Sequence, residues 1–167
     1  MTAKIYNVLF VCSGNSARSI MAEAILKREA PGRFRAFSAG SVPKGQIDPE
    51  TVNLMTKLNF DMSEARSKSW DEFTGPDAPK MDFIFIVCDS IATQPSWPGE
   101  PMVAHWGVPD PATNEGTIAE RALRFADAFR MLNNRITVFA NLRLDALDQL
   151  TLRSRLQEIG QEATADA

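Results

Sequence analysis

An apolar run from Tyr6 to Val11 stops at Cys12, and a helical pattern follows almost at once: Ala17 to Arg28 sets Ile20, Met21, Ala24 and Ile25 on one face. A buried strand thus passes through a tight loop straight into a helix, the opening unit of an α/β fold. The rest of the chain continues the alternation. Phe34 to Ser38 reads as a short strand ending at Gly40. Asp48 and Pro49 supply the N-cap and first-turn proline of a helix carrying Val52, Leu54, Met55 and Leu58, with Asn59 as its stop. In the polar stretch from Ser63 to Lys80, Gly75, Pro76 and Pro79 break regular structure and leave one helical turn at Trp70 to Phe73. Phe83 to Val87 is the strongest strand signal.

Asp89 to Ala112 contains Pro95, Pro98, Pro101, Pro109 and Pro111, a density that excludes a long helix and predicts an extended surface loop. Loops of that length in a compact domain usually carry function. Thr117 with Glu120 forms a capping box for a long helix through the Leu132 region. Asp145 is expected to cap a last helix with Leu147, Leu150, Leu152 and Leu156. The whole predicts one α/β domain over residues 1–160, a three-layer sandwich with a central parallel sheet and its active site at the carboxyl end of the first strand. Residues 161–167 are expected to form a disordered tail.

Composition removes several classes of function. The 167 residues suit a single domain. A net charge of −3 has the wrong sign for a protein held to nucleic acid or to an anionic membrane by phosphate neutralisation. The longest apolar run, Phe83 to Cys88, is far short of the ~20 residues that span a bilayer. The apolar run before Ser13 is too short for a signal peptide, so a cytoplasmic location is expected. Two cysteines and one histidine supply no zinc motif, and no bound metal or cofactor is expected. In a reducing compartment such a pair serves better as reagents than as a staple.

Cys12 stands where the first strand meets the first helix, at the head of Cys12-Ser13-Gly14-Asn15-Ser16-Ala17-Arg18-Ser19. The intervening residues are small, and Gly14 and Asn15 tolerate positive φ, so successive backbone N–H groups can converge on one anion. The positive end of the following helix adds to the same field. Arg18 can grip a tetrahedral oxyanion with its fork, and the field that holds the anion also favours a Cys12 thiolate, to which Ser19 can donate. No Gly-Lys-Ser/Thr follows, so a nucleoside triphosphate is not the expected ligand.

On these residues the chain resembles the low-molecular-weight protein tyrosine phosphatases and the arsenate reductases that share their fold, over roughly residues 5 to 140. The resemblance implies that Cys12 is the nucleophile, that Ser13 to Ser19 bind the oxyanion with Arg18 as anchor, and that Asn15 shapes the loop. It also implies that Asp110, in Asp110-Pro111, is the general acid. That role suits a carboxyl on a proline-rich loop beside a bound anion, because an oxygen leaving group needs a proton.

Several segments are similar to the reductase branch: Phe37 to Gly45 with Pro49 downstream, Asp61 to Lys68, and His105-Trp106-Gly107-Val108-Pro109-Asp110-Pro111. The phosphatase branch places tyrosines just after Asp-Pro, where this chain has Ala112-Thr113-Asn114, and its only tyrosine is Tyr6. Cys88 matches the reductases' second redox cysteine. It is read either as the resolving thiol of a Cys12 adduct or as a small buried hydrophobe.

Two departures matter. Gln94 stands before Pro95 where the thioredoxin-coupled members carry a third cysteine, so an outside thiol is required. Either glutathione or mycothiol attacks the adduct, or Cys88 does and glutaredoxin or thioredoxin reduces the disulfide. Some reductases also hold a potassium ion beside the loop. Asn15, Glu23 and Ser38 match its ligands, but Lys68 replaces an aspartate, and its ammonium is expected to take the cation's place. His105, Trp97 and Trp106 are read as structural.

Arsenate reduction to arsenite, for arsenic detoxification, is therefore the first expectation. The alternatives are hydrolysis of phosphotyrosine or aryl phosphates by the same residues, and an oxyanion-binding or redox-sensing protein without turnover. The expected partners are an arsenate or phosphate oxyanion and a thiol or redoxin reductant.

Overall fold

The computed structural model describes residues 4–91, 93–113 and 115–165. Four parallel strands, β1 (Tyr6–Cys12), β2 (Phe34–Gly40), β3 (Phe83–Ile86) and β4 (Met102–His105), form one sheet in the order β2-β1-β3-β4. Helices α1 (Arg18–Glu29), α2 (Pro49–Lys57), α3 (Ile118–Ala140) and α4 (Gln149–Ala165) follow in chain order. The period-2 alternation of β1 divides the core. Val8, Phe10 and Cys12 face a cluster built with Met21 and Ile25 of α1, Met55 of α2, Leu132 and Phe139 of α3, and Leu156 of α4. Leu9 and Val11 face the opposite cluster with Ile84, Phe73 and Met81. The expected three layers are present, the outer layer opposite the helices being a 3-10 turn, Trp70–Phe73, and aromatic loop residues rather than long helices.

Burial of each large apolar side chain contributes about 1.5–3 kcal/mol, and aromatic rings dominate where the sheet meets α3. Phe139 meets Phe34, Phe83, Phe85 and Trp106 at tilted or edge-on angles, and Trp106 stacks on Phe85 with centroids 3.7 Å apart. The Trp106 indole N–H also donates to Leu156 O at 2.9 Å. This side chain anchors the proline-rich segment to the body, as its sequence position predicts. Trp97 does the same on the other face, edge-on to Trp70 at 5.9 Å.

The structure corrects four expectations. Asp89 to Ala112 is not one loop, because β4 lies within it. Pro101 hides this strand: its missing N–H falls just before the first ladder residue, and β4 is a four-residue edge strand. Asp148, not Asp145, starts the last helix, accepting from Thr151 N–H at 2.7 Å. Leu150 on that helix and Val52 on α2 are exposed, since neither stripe is as wide as its leucines suggest. Finally, α4 continues past Gly160 through Ala165, so residues 161–165 are helical. Gly160 is a close-packing position rather than a stop: a Cβ there would lie 2.7 Å from His105 O and 2.8 Å from Trp106 Cδ1. Asn114 and residues 166–167 lie outside the described residues.

Candidate active site

The oxyanion loop is shaped from outside, by ties on its carbonyls. Cys12 O accepts from Ser41 N–H, Ser13 O from Val42 N–H at 2.9 Å, and Gly14 O from Lys44 N–H at 2.9 Å. Ser16 O accepts from Asp48 N–H and from the hydroxyl of Thr51, both at 3.0 Å. With these carbonyls pulled outward, the amides between Ser13 and Arg18 are left to the concave side. Asn15 adopts φ +46°, the left-handed conformation that its side chain tolerates, which turns the loop at its midpoint. Gly40 leaves the room this turn requires, because a Cβ on it would sit 2.5 Å from Ser13 O. Among the described residues no side chain caps the N-terminus of α1, and no acidic residue occupies its first turn. Its free N–H groups and positive dipole are therefore available to an anion.

Cys12 Sγ sits at the base of the loop, with 3% of the residue exposed. It receives Asn15 N–H at 3.3 Å and lies 2.8 Å from Ser19 Oγ. Ser19 Oγ already accepts from Asn15 Nδ2 at 2.8 Å, so its single proton is free to point at the sulfur. Behind this pair the chain of donors continues. Asn15 Nδ2 also donates to Ser38 Oγ at 3.1 Å, Ser38 donates to Glu23 Oε1 at 2.6 Å, and Lys68 N–H donates to Asn15 Oδ1 at 2.8 Å. Lys68 N–H fixes the Asn15 amide through its oxygen, and Asn15 Nδ2 occupies Ser19 Oγ as a donor, so the Ser19 proton is left for Cys12 Sγ.

The Lys68 ammonium donates to Ser38 Oγ at 3.4 Å and to Arg66 O at 3.1 Å, and lies 3.7 Å from Glu23 Oε1. Burial lowers its pKa below the ordinary lysine value, and the Glu23 carboxylate opposes that shift. These residues do not fit a potassium ion, since an ammonium already sits among the oxygens that would ligate it.

Arg18, nearly buried at the start of α1, donates from Nη1 to Val108 O at 2.9 Å, and its Nη2 lies 4.0 Å from Asp110 Oδ2. Asp110 is half-exposed, and its other oxygen accepts from Ala112 N–H at 2.9 Å. The distant Asp-Pro loop and the oxyanion loop therefore meet at one guanidinium. Cys88 is 1% exposed and stands just past the end of β3. Val11 pairs with Ile86 and accepts from Val87 N–H at 2.9 Å, so the two cysteines occupy the carboxyl ends of adjacent parallel strands. Both are free thiols, and Ser90 Oγ donates to Cys88 Sγ at 3.4 Å. His105 Nε2 lies 2.8 Å from Cys88 O and 3.1 Å from Asp89 Oδ1, a tie on backbone rather than on either sulfur.

Sequence reasoning gathers Cys12, Ser13 to Ser19, Glu23, Ser38, Lys68, Cys88 and Asp110, and the structure brings all of them to one end of the sheet. It missed Thr51, Ser67 and the backbone of Ser41, Val42 and Lys44, which hold the loop from behind; Ser67 Oγ donates to Gly14 O at 3.2 Å. Thr51 is visible in the sequence only as a polar residue in the first turn of a helix, and its complete burial emerges from the structure.

Comparison with known proteins agrees with this geometry. The chain is 33% identical over 134 residues to an arsenate reductase of Halalkalibacterium halodurans, covering 80% of this chain and 94% of that one. An arsenate reductase from Archaeoglobus fulgidus has a similar structure, with a TM-score of 0.64 and 26% identity over 81% of this chain and 99% of that one. The tyrosine phosphatase Wzb from Escherichia coli K30, solved in complex with sulphate, shares the fold at a TM-score of 0.63 and 21% identity, over 82% of this chain and 97% of that one. The family model for the low molecular weight phosphotyrosine protein phosphatase matches residues 7–150, and the chain belongs to that family.

Proposed function

We propose that the protein reduces arsenate to arsenite with electrons from thiols, as part of arsenic detoxification in the cytoplasm. Arsenate, bound by the amides of Ser13 to Ser19 and by Arg18, is attacked by the Cys12 thiolate. A Cys12–arsenic bond forms, one oxygen leaves as water, and Asp110 supplies its proton. The Cys88 thiolate then attacks the Cys12 sulfur. The sulfur–arsenic electron pair passes to arsenic, which leaves as arsenite, and a Cys12–Cys88 disulfide remains for an external thiol to reduce. The observation that carries this reading is the pairing of an amide-lined, Arg-anchored Cys12 with a second thiol at the end of the neighbouring strand. A phosphatase needs the first and has no use for the second. The sequence holds only these two cysteines, so the final electrons come from glutathione with glutaredoxin, from mycothiol or from thioredoxin.

The test pairs arsenite production with aryl phosphate hydrolysis. Without added reductant, one equivalent of arsenate is expected to yield arsenite and consume both thiols. With glutaredoxin or thioredoxin systems the reaction turns over, and Cys88→Ser slows that turnover about tenfold or more. Brisk aryl phosphate hydrolysis without arsenite assigns the protein to the phosphatases. Oxyanion binding with neither activity leaves a binding or sensing role.

The Lys68 ammonium carries a separate expectation. Because it already supplies the positive charge beside Ser38 and Glu23, exchanging sodium for potassium at constant ionic strength leaves the rate of arsenite formation unchanged. A severalfold rise with potassium would show that the ammonium does not replace the ion.

A further inference from the structure

Arg135 lies on α3, outside every group assigned above, and is 1% exposed. Its Nη1 donates to Trp106 O at 2.6 Å and to Gly107 O at 2.9 Å. Its Nε and Nη2 are buried without a partner among the described residues. Burial lowers its pKa below the ordinary guanidinium value, and the Asp89 carboxylate opposes that shift. On stability alone this is a poor arrangement. A buried guanidinium with unpaired donors is costly, and an apolar side chain of similar volume would remove that cost at the expense of the donor to Trp106 O and Gly107 O.

What Arg135 holds is the stem of the Asp110 loop. Trp106, Gly107 and Val108 present three successive carbonyls, the first two to Arg135 and the third to Arg18. Asp110 follows two residues later. The Trp106 ring fixes the start of this stem through Phe85 and Leu156, and Val108 N–H fixes the Gly107–Val108 peptide by donating to Val87 O at 3.1 Å, but neither stops the Trp106–Gly107 peptide plane from rotating. Arg135 removes that rotation. The plane carrying Val108 O then faces Arg18, and Asp110 is delivered beside the same guanidinium.

We propose that Arg135 is a positioning residue for the reaction: by gripping the carbonyls of Trp106 and Gly107 it sets Val108 against Arg18 and places Asp110 at the oxyanion loop. The proposal rests on the reading of Asp110 as the general acid. Arg135 acts through the backbone and touches no reacting atom.

The test is a double-mutant cycle with Arg135→Met and Asp110→Asn, run on the full chain with arsenate plus thiol and, in parallel, with p-nitrophenyl phosphate. Arg135→Met is expected to remain folded, with a melting temperature close to that of the wild type, because relief of a buried charge offsets the loss of the donor to two carbonyls. Its kcat falls about 10- to 100-fold through misplacement of the acid loop, with KM changed less than kcat. Arg135→Lys, which keeps a donor for one carbonyl, recovers part of the loss. The double variant is no slower than Asp110→Asn alone, because the two changes remove the same contribution. If the losses multiply, or if Arg135→Met keeps the wild-type kcat while Asp110→Asn is slow, the proposal is overturned and the acid reading stands. If Asp110→Asn itself keeps the wild-type rate, both are overturned.

Discussion

Cys12→Ser is expected to stop arsenite formation, with a loss of at least about 10³-fold, while leaving the fold and oxyanion binding in place. The substitution changes one atom. The hydroxyl still fits beside Ser19 Oγ and the Asn15 N–H, now with oxygen in place of sulfur 2.8 Å from Ser19, so neither the loop nor α1 has reason to move. What disappears is the nucleophile. A cysteine can attack as a thiolate and bond to arsenic through sulfur, whereas a serine hydroxyl is a far weaker acid and forms no sulfur bond to arsenic. Two measurements separate these effects. Arsenite is assayed with the complete thiol system, and binding is read as the rise in melting temperature with inorganic phosphate, since a ligand at 100 times its Kd stabilises by about 2.7 kcal/mol. The variant is expected to keep the phosphate-dependent rise and to produce no arsenite. Arsenite production at the wild-type rate would sink the mechanism at its first step.

The parts of the molecule legible in the sequence are those fixed by local chemistry. The Thr117–Glu120 capping box, the Asp48-Pro49 helix start and the left-handed stop at Asn59 each depend on contacts within four residues, and each is found where the sequence puts it. The same holds for the Cys12 loop, whose small residues and Arg18 belong to one strand–loop–helix unit. The misses are non-local. β4 becomes a strand because β3 offers an unpaired edge, something its own four residues between prolines do not announce. Likewise, Ser41, Val42 and Lys44 support the loop through backbone N–H groups, which any residue but proline carries. Arg135 looks like one more polar position on a long helix until Trp106 and Gly107 are folded against it. Asp110 is intermediate. Its role comes from resemblance, whereas its approach to Arg18 depends on contacts some ninety residues apart in sequence, such as Arg18 with Val108.

Arg18→Lys should produce the complementary failure, with binding and turnover lost together although the positive charge is kept. Arg18 is placed to serve two partners at once. Nη1 is committed to Val108 O at 2.9 Å, and Nη2 lies within 4.0 Å of Asp110. The planar fork lets one group hold the acid loop while the others face the oxyanion in fixed geometry. An ammonium on a flexible stem is a point donor. If it satisfies Val108 O it leaves the anion, and if it turns to the anion it leaves a buried carbonyl unpaired and frees the acid loop. Either choice weakens the ground state by one charged contact and the transition state by that contact plus the misplacement of Asp110. Losses of about 10-fold in phosphate affinity and about 10²- to 10³-fold in kcat are therefore expected. In the same pair of assays, Cys12→Ser keeps the phosphate-dependent rise in melting temperature and Arg18→Lys loses about half of it. If Arg18→Lys retained both within about threefold, charge alone would suffice at this position and the fork would have no role. The asymmetry between the two variants is what identifies Arg18 as the point where substrate binding and acid placement are joined.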